Sequence, residues 1–126
     1  MTINDVYVLA AYMIGEDPTA ADTQDLRSRS AALLSAICID MRNDNRLYCG
    51  GYGLECSMWN GELLNLESEF PLSVRFAPAA AKALAALLVV EENKSLSEYF
   101  DGCSKYDIGV IKSEIPAKVE KIRAAI

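Results

Sequence analysis

The sequence predicts a mostly α fold: a compact bundle of about four to five helices, interrupted by an irregular loop or short β-hairpin insertion around residues 43–70. Three observations predict it. Apolar residues recur at helical spacing along most of the chain. Capping-type pairs three residues apart stand where those stripes begin. Residues 77–86 are dense in alanine, the best helix former, which also lets backbones approach closely. The chain reads as a single helical domain, 1–126, with N-terminal helices in 1–42, the insertion in 43–70 and C-terminal helices in 71–126.

The first helix is expected over Asn4 to Ile14. Thr2 and Asp5 have capping-box spacing, Val6, Leu9, Ala10 and Met13 mark one face, and Gly15 is placed to end it. Glu16-Asp17-Pro18 reads as a turn. A longer second helix is expected from Thr19, where Thr19 and Asp22 repeat the capping spacing, to about Arg42. Its stripe is Leu26, Leu33, Leu34, Ile37 and Met41, and Asn43-Asp44-Asn45 is expected to break it.

Within 43–70, Gly50, Gly51 and Gly53 read as turn formers. Asn60-Gly61 signals a hairpin if strands flank it, and a long ordered loop is the alternative. Pro78 suits the first turn of the next helix, whose run from Phe76 to Val90 is apolar nearly all round. That run would span roughly 22 Å, short of the hydrocarbon thickness, so a buried core helix is expected and no membrane span. Ser95 and Glu98 offer another capping box. The stripe Leu96, Tyr99, Phe100, Cys103, Tyr106 and Val110 follows, and Pro116 starts or kinks a last segment bearing Ile115, Val119, Ile122 and Ile126.

Composition limits function more than it assigns it. Net charge is −6, which argues against specific nucleic-acid binding, since phosphate contacts need a basic surface. The charge is uneven. Residues 1–111 hold 16 acids and 8 bases, whereas 112–126 hold Lys112, Lys118, Lys121 and Arg123 against Glu114 and Glu120. With no histidine, Ser-His-Asp and Cys-His catalysis and histidine metal sites are excluded. Cys38, Cys49, Cys56 and Cys103 lack the close pairing of structural zinc ligands. No signal peptide is visible, so free thiols are expected, with Cys38 and Cys103 buried and Cys49 and Cys56 exposed in the loop.

Gly50 to Gly53 lacks the Gly-Lys-Ser/Thr ending of a phosphate loop. Glu67 with Glu69 and Glu91 with Glu92 read as surface charge. No catalytic, cofactor-binding or metal residues are therefore assigned, and no enzyme activity is expected. The candidate working surface is a protein interface. Tyr48, Tyr52, Met58 and Trp59 are of types favoured in interface cores. Lys112, Ile115, Lys118, Val119, Lys121 and Ile122 form a basic, apolar-striped tail, whose removal from residue 111 onward is expected to leave a folded body.

The order of segments resembles a known family. A short helix, then Gly15-Glu16-Asp17-Pro18-Thr19, then a long helix is similar to the opening of small head–tail connector proteins of tailed phages and prophages. Leu66 to Arg75, reading Leu-Glu-Ser-Glu-Phe-Pro-Leu-Ser-Val-Arg, resembles their acidic and then Pro-Leu-x-x-Arg entry to an alanine- and leucine-rich helix, here Phe76 to Asn93. Ser95 to Phe100, and Ile111 to Ile122 with Ser113-Glu114-Ile115-Pro116, resemble the closing helices of clostridial-type members. The likeness covers most of the chain outside 43–62. It departs at Leu34-Ser35, where members often carry Leu-Asn followed by a Trp.

The resemblance implies a virion structural protein assembled in the host bacterial cytoplasm. It would form a homo-oligomeric ring between portal protein and tail-side adaptor proteins, its C-terminal segment contacting the portal. The alternative is a cytoplasmic helical interaction or regulatory module that binds a partner through its aromatic loop.

Overall fold

A computed structural model describes residues 1–116. Among the described residues four helices form: α1 (Ile3–Met13), α2 (Gln24–Tyr52), α3 (Ala77–Val89) and α4 (Lys94–Glu114). Short 3₁₀ turns at Ala21–Thr23 and Val74–Phe76 lead into α2 and α3. No strand forms among the described residues. Of the two forms anticipated for the insertion, the irregular loop is the one present, over residues 54–73.

α1 begins as its sequence dictates. Thr2 Oγ1 accepts from the Asp5 amide at 3.2 Å, and Asp5 Oδ2 accepts from the Thr2 amide at 2.8 Å. These bonds to Thr2 hold the Asp5 carboxyl below its ordinary value. The amides of Ile3 and Asn4, which no capping box reaches, donate instead to the carbonyls of Ser68 and Leu66, both at 2.9 Å. The loop thus completes the satisfaction of α1's first turn. A return bond from the Phe70 amide to the Met1 carbonyl, 2.8 Å, makes an isolated antiparallel bridge between Thr2 and Glu69. Gly15, at φ 77°, ends the helix, with Glu16 N bonded to Ala11 O and Gly15 N to Tyr12 O. The buried face is Ile3, Val6, Tyr7, Ala10 and Ala11; Leu9, assigned to it from spacing, points outward.

α2 departs from expectation at both ends. Thr19 does not cap it: its amide and hydroxyl donate to Asp17 Oδ1, closing a turn, and the helix starts at Gln24. The polar triplet Asn43-Asp44-Asn45 does not stop it either. Asn45 lies on the buried stripe with Met41 and Cys49, and its amide is engaged by other segments rather than by its own backbone. The helix therefore runs 29 residues to Tyr52, where Gly53 at φ 68° terminates it with Leu54 N bonded to Cys49 O. Gly50 and Gly51, read as turn formers, are helical.

The loop is pinned on α2 by two side chains. Ser35 Oγ accepts from the Leu64 amide at 2.9 Å, and Asn45 Oδ1 accepts from the Ser73 amide at 2.8 Å. Asn60-Gly61 does turn, with Asn60 Oδ1 accepting from the Glu62 amide at 3.2 Å and Gly61 at φ 93°. Among the described residues no backbone hydrogen bond joins its two flanks, and the Leu64 amide is taken by Ser35, so no hairpin forms.

α3, with Pro78 in its first turn, is the central helix and packs on the other three. α4 runs antiparallel to it in fixed register. Ser97 Oγ donates to Ala86 O at 2.7 Å and Ser104 Oγ to Ala79 O at 2.8 Å. Lys82 of α3 pairs with Asp107 of α4. Asn93, not Ser95, caps α4, accepting from the Leu96 amide at 3.0 Å. Gly102 and Gly109 leave it unbroken, while Tyr99 and Tyr106, expected inside, are exposed. Pro116 excludes its predecessor from helical geometry, and Ile115 duly turns extended at ψ 125°. Ile111 is fully buried, so the core includes the first residue of the segment whose removal was expected to leave a folded body.

Asn45→Ala strands the Ser73 amide without its partner. It is expected to lower unfolding free energy by about 1–3 kcal/mol in urea titration, with helix content retained in the native baseline. A loss near zero would mean that the loop does not depend on this contact.

Candidate protein interface

Four of the sequence-selected residues gather where α2 and α4 end side by side. Tyr48 and Tyr52 lie one turn apart on the last part of α2, their ring centroids 5.0 Å apart. Tyr48 also meets Phe76 edge-on at 5.7 Å. The Tyr52 hydroxyl donates to the Glu114 carbonyl at 2.9 Å, satisfying one of the open acceptors at the end of α4. Arg75 Nη2 donates to both Glu114 carboxylate oxygens, at 2.9 and 3.1 Å. Lys112 Nζ sits 3.7 Å from Asp44 Oδ1. These pairs are partly exposed, where each contributes about 0–1 kcal/mol, so they orient the helix end more than they stabilise it.

Ile115 seats directly on the backbone of α2. A Cβ at Gly51 would stand 2.5 Å from Ile115 Cγ2 and 3.4 Å from Pro116 Cδ, so only glycine allows this approach. Gly51, Asp44, Arg75, Phe76 and Glu114 were not selected from sequence. The signal was faint: a glycine that does not end its helix often marks a close approach.

Met58 and Trp59 belong to the loop, and among the described residues no hydrogen bond or ring contact joins them to this cluster. Trp59 packs partly against the core and donates its indole N–H to the Glu62 carbonyl at 3.0 Å, so part of its role is structural. Met58 is 95% exposed. Lys118, Val119, Lys121 and Ile122 lie outside the described residues.

The thiols redistribute relative to expectation. Cys38 is buried as anticipated, and burial pushes its pKa up to about 12. Cys49 is buried too, because α2 extends through it, while Cys56 and Cys103 are half-buried. Burial, reinforced by the neighbouring Cys56, raises the Cys49 pKa. Thiolates at Cys38 and Cys49 are thus disfavoured at neutral pH. Among the described residues no group of three or more cysteine or acidic side chains is placed to hold a metal ion, and no helix is long and apolar enough to cross a membrane. Glu67, Glu69, Glu91 and Glu92 are exposed, as surface charge should be. Compared with protein-family models, curated proteins and solved structures, the chain gives no match.

Gly51→Val should displace Ile115 and fray the last turn of α4. Amide exchange at residues 111–115 is then faster, and exchange in α1 and α3 stays unchanged; uniform acceleration would instead mean that this contact supports the whole core. A thiol reagent at pH 8 should modify Cys56 and Cys103 in the folded chain and reach Cys38 and Cys49 only on denaturation, as read by mass spectrometry before and after urea.

Proposed function

We propose that this chain is a virion structural protein, a head–tail connector that forms a ring between portal and tail in a phage or prophage. One observation carries the reading beyond sequence resemblance. Two of the selected aromatics, Tyr48 and Tyr52, lie where the basic segment departs, beside Lys112 and Ile115 at the joined ends of α2 and α4. A helical body holding the root of a basic, apolar-striped segment suits a part that works through surfaces. The segment order Gly15 to Thr19, then Leu66 to Arg75, then the alanine-rich α3 supports the same reading. On it, the acidic body faces DNA without adhering to the backbone, since like charge repels.

A second reading, an interaction module that binds a partner through its loop, is favoured by Met58 and Leu63, 95% and 76% exposed. The two differ in the surface used.

Mixing the chain with its cognate portal at micromolar concentration should give a complex visible as rings by electron microscopy. Lys118→Glu with Lys121→Glu should abolish that complex and leave the helical circular dichroism unchanged. Portal binding that survives these substitutions and is lost with Met58→Ala would favour the loop reading instead.

A further inference from the structure

Ala83 and Ala86 of α3 line a depression between α2 and α4. The result is a groove made of two adjoining cavities that share Ile37, Asp40, Ala83 and Asp101. Its floor is apolar. Its walls carry four carboxylates, Asp40, Asp44, Glu98 and Asp101; Lys105 pairs with Asp101 at 2.8 Å and Lys112 reaches Asp44 at 3.7 Å, and among the described residues Asp40 and Glu98 have no ion-pair partner. The groove follows α4 from Ser97 to Ile108, a length of roughly 16 Å at the helical rise.

Residues 117–126 have the complementary character. Lys118, Lys121 and Arg123 outnumber Glu120, and Val119, Ile122 and Ile126 recur at i, i+3 and i+7. Written as a helix, these ten residues measure roughly 15 Å and present one apolar stripe flanked by bases. Charge, apolar spacing and length therefore all match the groove.

We propose that the groove receives residues 117–126 of a second copy of this chain. The occupant comes from another copy because of where the described chain leaves α4. Pro116 lies against Gly51, seven residues beyond Asp44 along α2, or roughly 10 Å past the near end of the groove. To reach the groove of its own body the chain must reverse and retrace that distance, using Lys118 and Val119 before the first acidic wall. A neighbouring copy can present the segment whole. Such a contact is heterologous, joining a tail to a groove, and repetition closes rings or extends filaments. The inference concerns the segment that the portal reading also uses, but it rests on the groove and needs no portal.

The test uses the full chain in sedimentation velocity across a concentration series up to about 100 µM, a range that reads weak self-association. The wild type should associate, and association should weaken as salt rises. Asp40→Lys with Glu98→Lys in the groove, or Lys118→Glu with Lys121→Glu in the tail, should each weaken it by at least about tenfold. Carrying all four substitutions in one chain should restore association.

The decisive arm mixes the two half-swapped variants. Each associates weakly alone, and together they should co-assemble at 1:1 stoichiometry with the two variants alternating, because each variant's groove matches only the other's tail. A monomeric wild type throughout, a monomeric mixture with an unassociated four-fold variant, or association indifferent to the swaps would each overturn the proposal. The groove variant should still bind portal, so loss of self-association and loss of the portal reading are separate results.

Discussion

A primary amide sealed from water must find its partners inside the protein, and Asn45 finds them on the loop and on its own helix. Its oxygen accepts from the Ser73 amide, and the Cys49 thiol reaches the same oxygen at 3.9 Å; its nitrogen contacts the Cys56 sulfur at 3.6 Å. The rest of the candidate interface follows from that fixture. Holding Ser73 places the turn Val74–Phe76, which sends Phe76 against Tyr48 and Arg75 out to Glu114. Glu114 in turn closes the end of α4 with Tyr52. A buried polar group of this kind specifies geometry more than it adds stability, because its cost is recovered only when every partner is in place.

The second constraint is the narrowness of α3. Its face toward α4 is alanine, so the two backbones come close enough for the hydroxyls of Ser97 and Ser104 to reach carbonyls on the neighbouring helix. The same small side chains toward the other side leave depth between α2 and α4. Close packing and an open groove thus have one cause. Larger residues at Ala83 or Ala86 would raise the floor and bring apolar surface level with the acidic walls.

Local signals were legible wherever they acted alone. The Thr2–Asp5 box, Gly15 and Pro78 all do what their chemistry prescribes, and the apolar run of α3 is the central helix. Legibility failed where tertiary contacts overrode local preference. Asn43-Asp44-Asn45 looks like a helix stop, yet Asn45 gains more from the loop than from its own backbone. Ser97 and Ser104 look like solvent residues but face α3, which rotates α4 and leaves Tyr99 and Tyr106 outside. Spacing gave the period of that helix and not its phase, since serine is as small as alanine and its hydroxyl found a carbonyl. At the candidate interface Tyr48, Tyr52, Lys112 and Ile115 were visible by residue type. Gly51 and Glu114, which join them, were not, because their roles exist only once two distant helix ends meet.

A net charge of −6 describes the chain poorly, because the two signs are separated along it. The acids that line the groove stand on α2 and α4, while most of the C-terminal bases follow α4's end. Separation of this kind makes copies of one molecule complementary to each other without making any single surface neutral. It also makes the tail a shared resource. On the two proposals together, a segment seated in a neighbour's groove would not be free for the portal, so each contact would weaken the other by the factor by which it is itself weakened. If both proposals hold, copies would stay loosely joined until a partner with higher affinity for the tails displaced them, and the order of assembly would follow from the relative affinities.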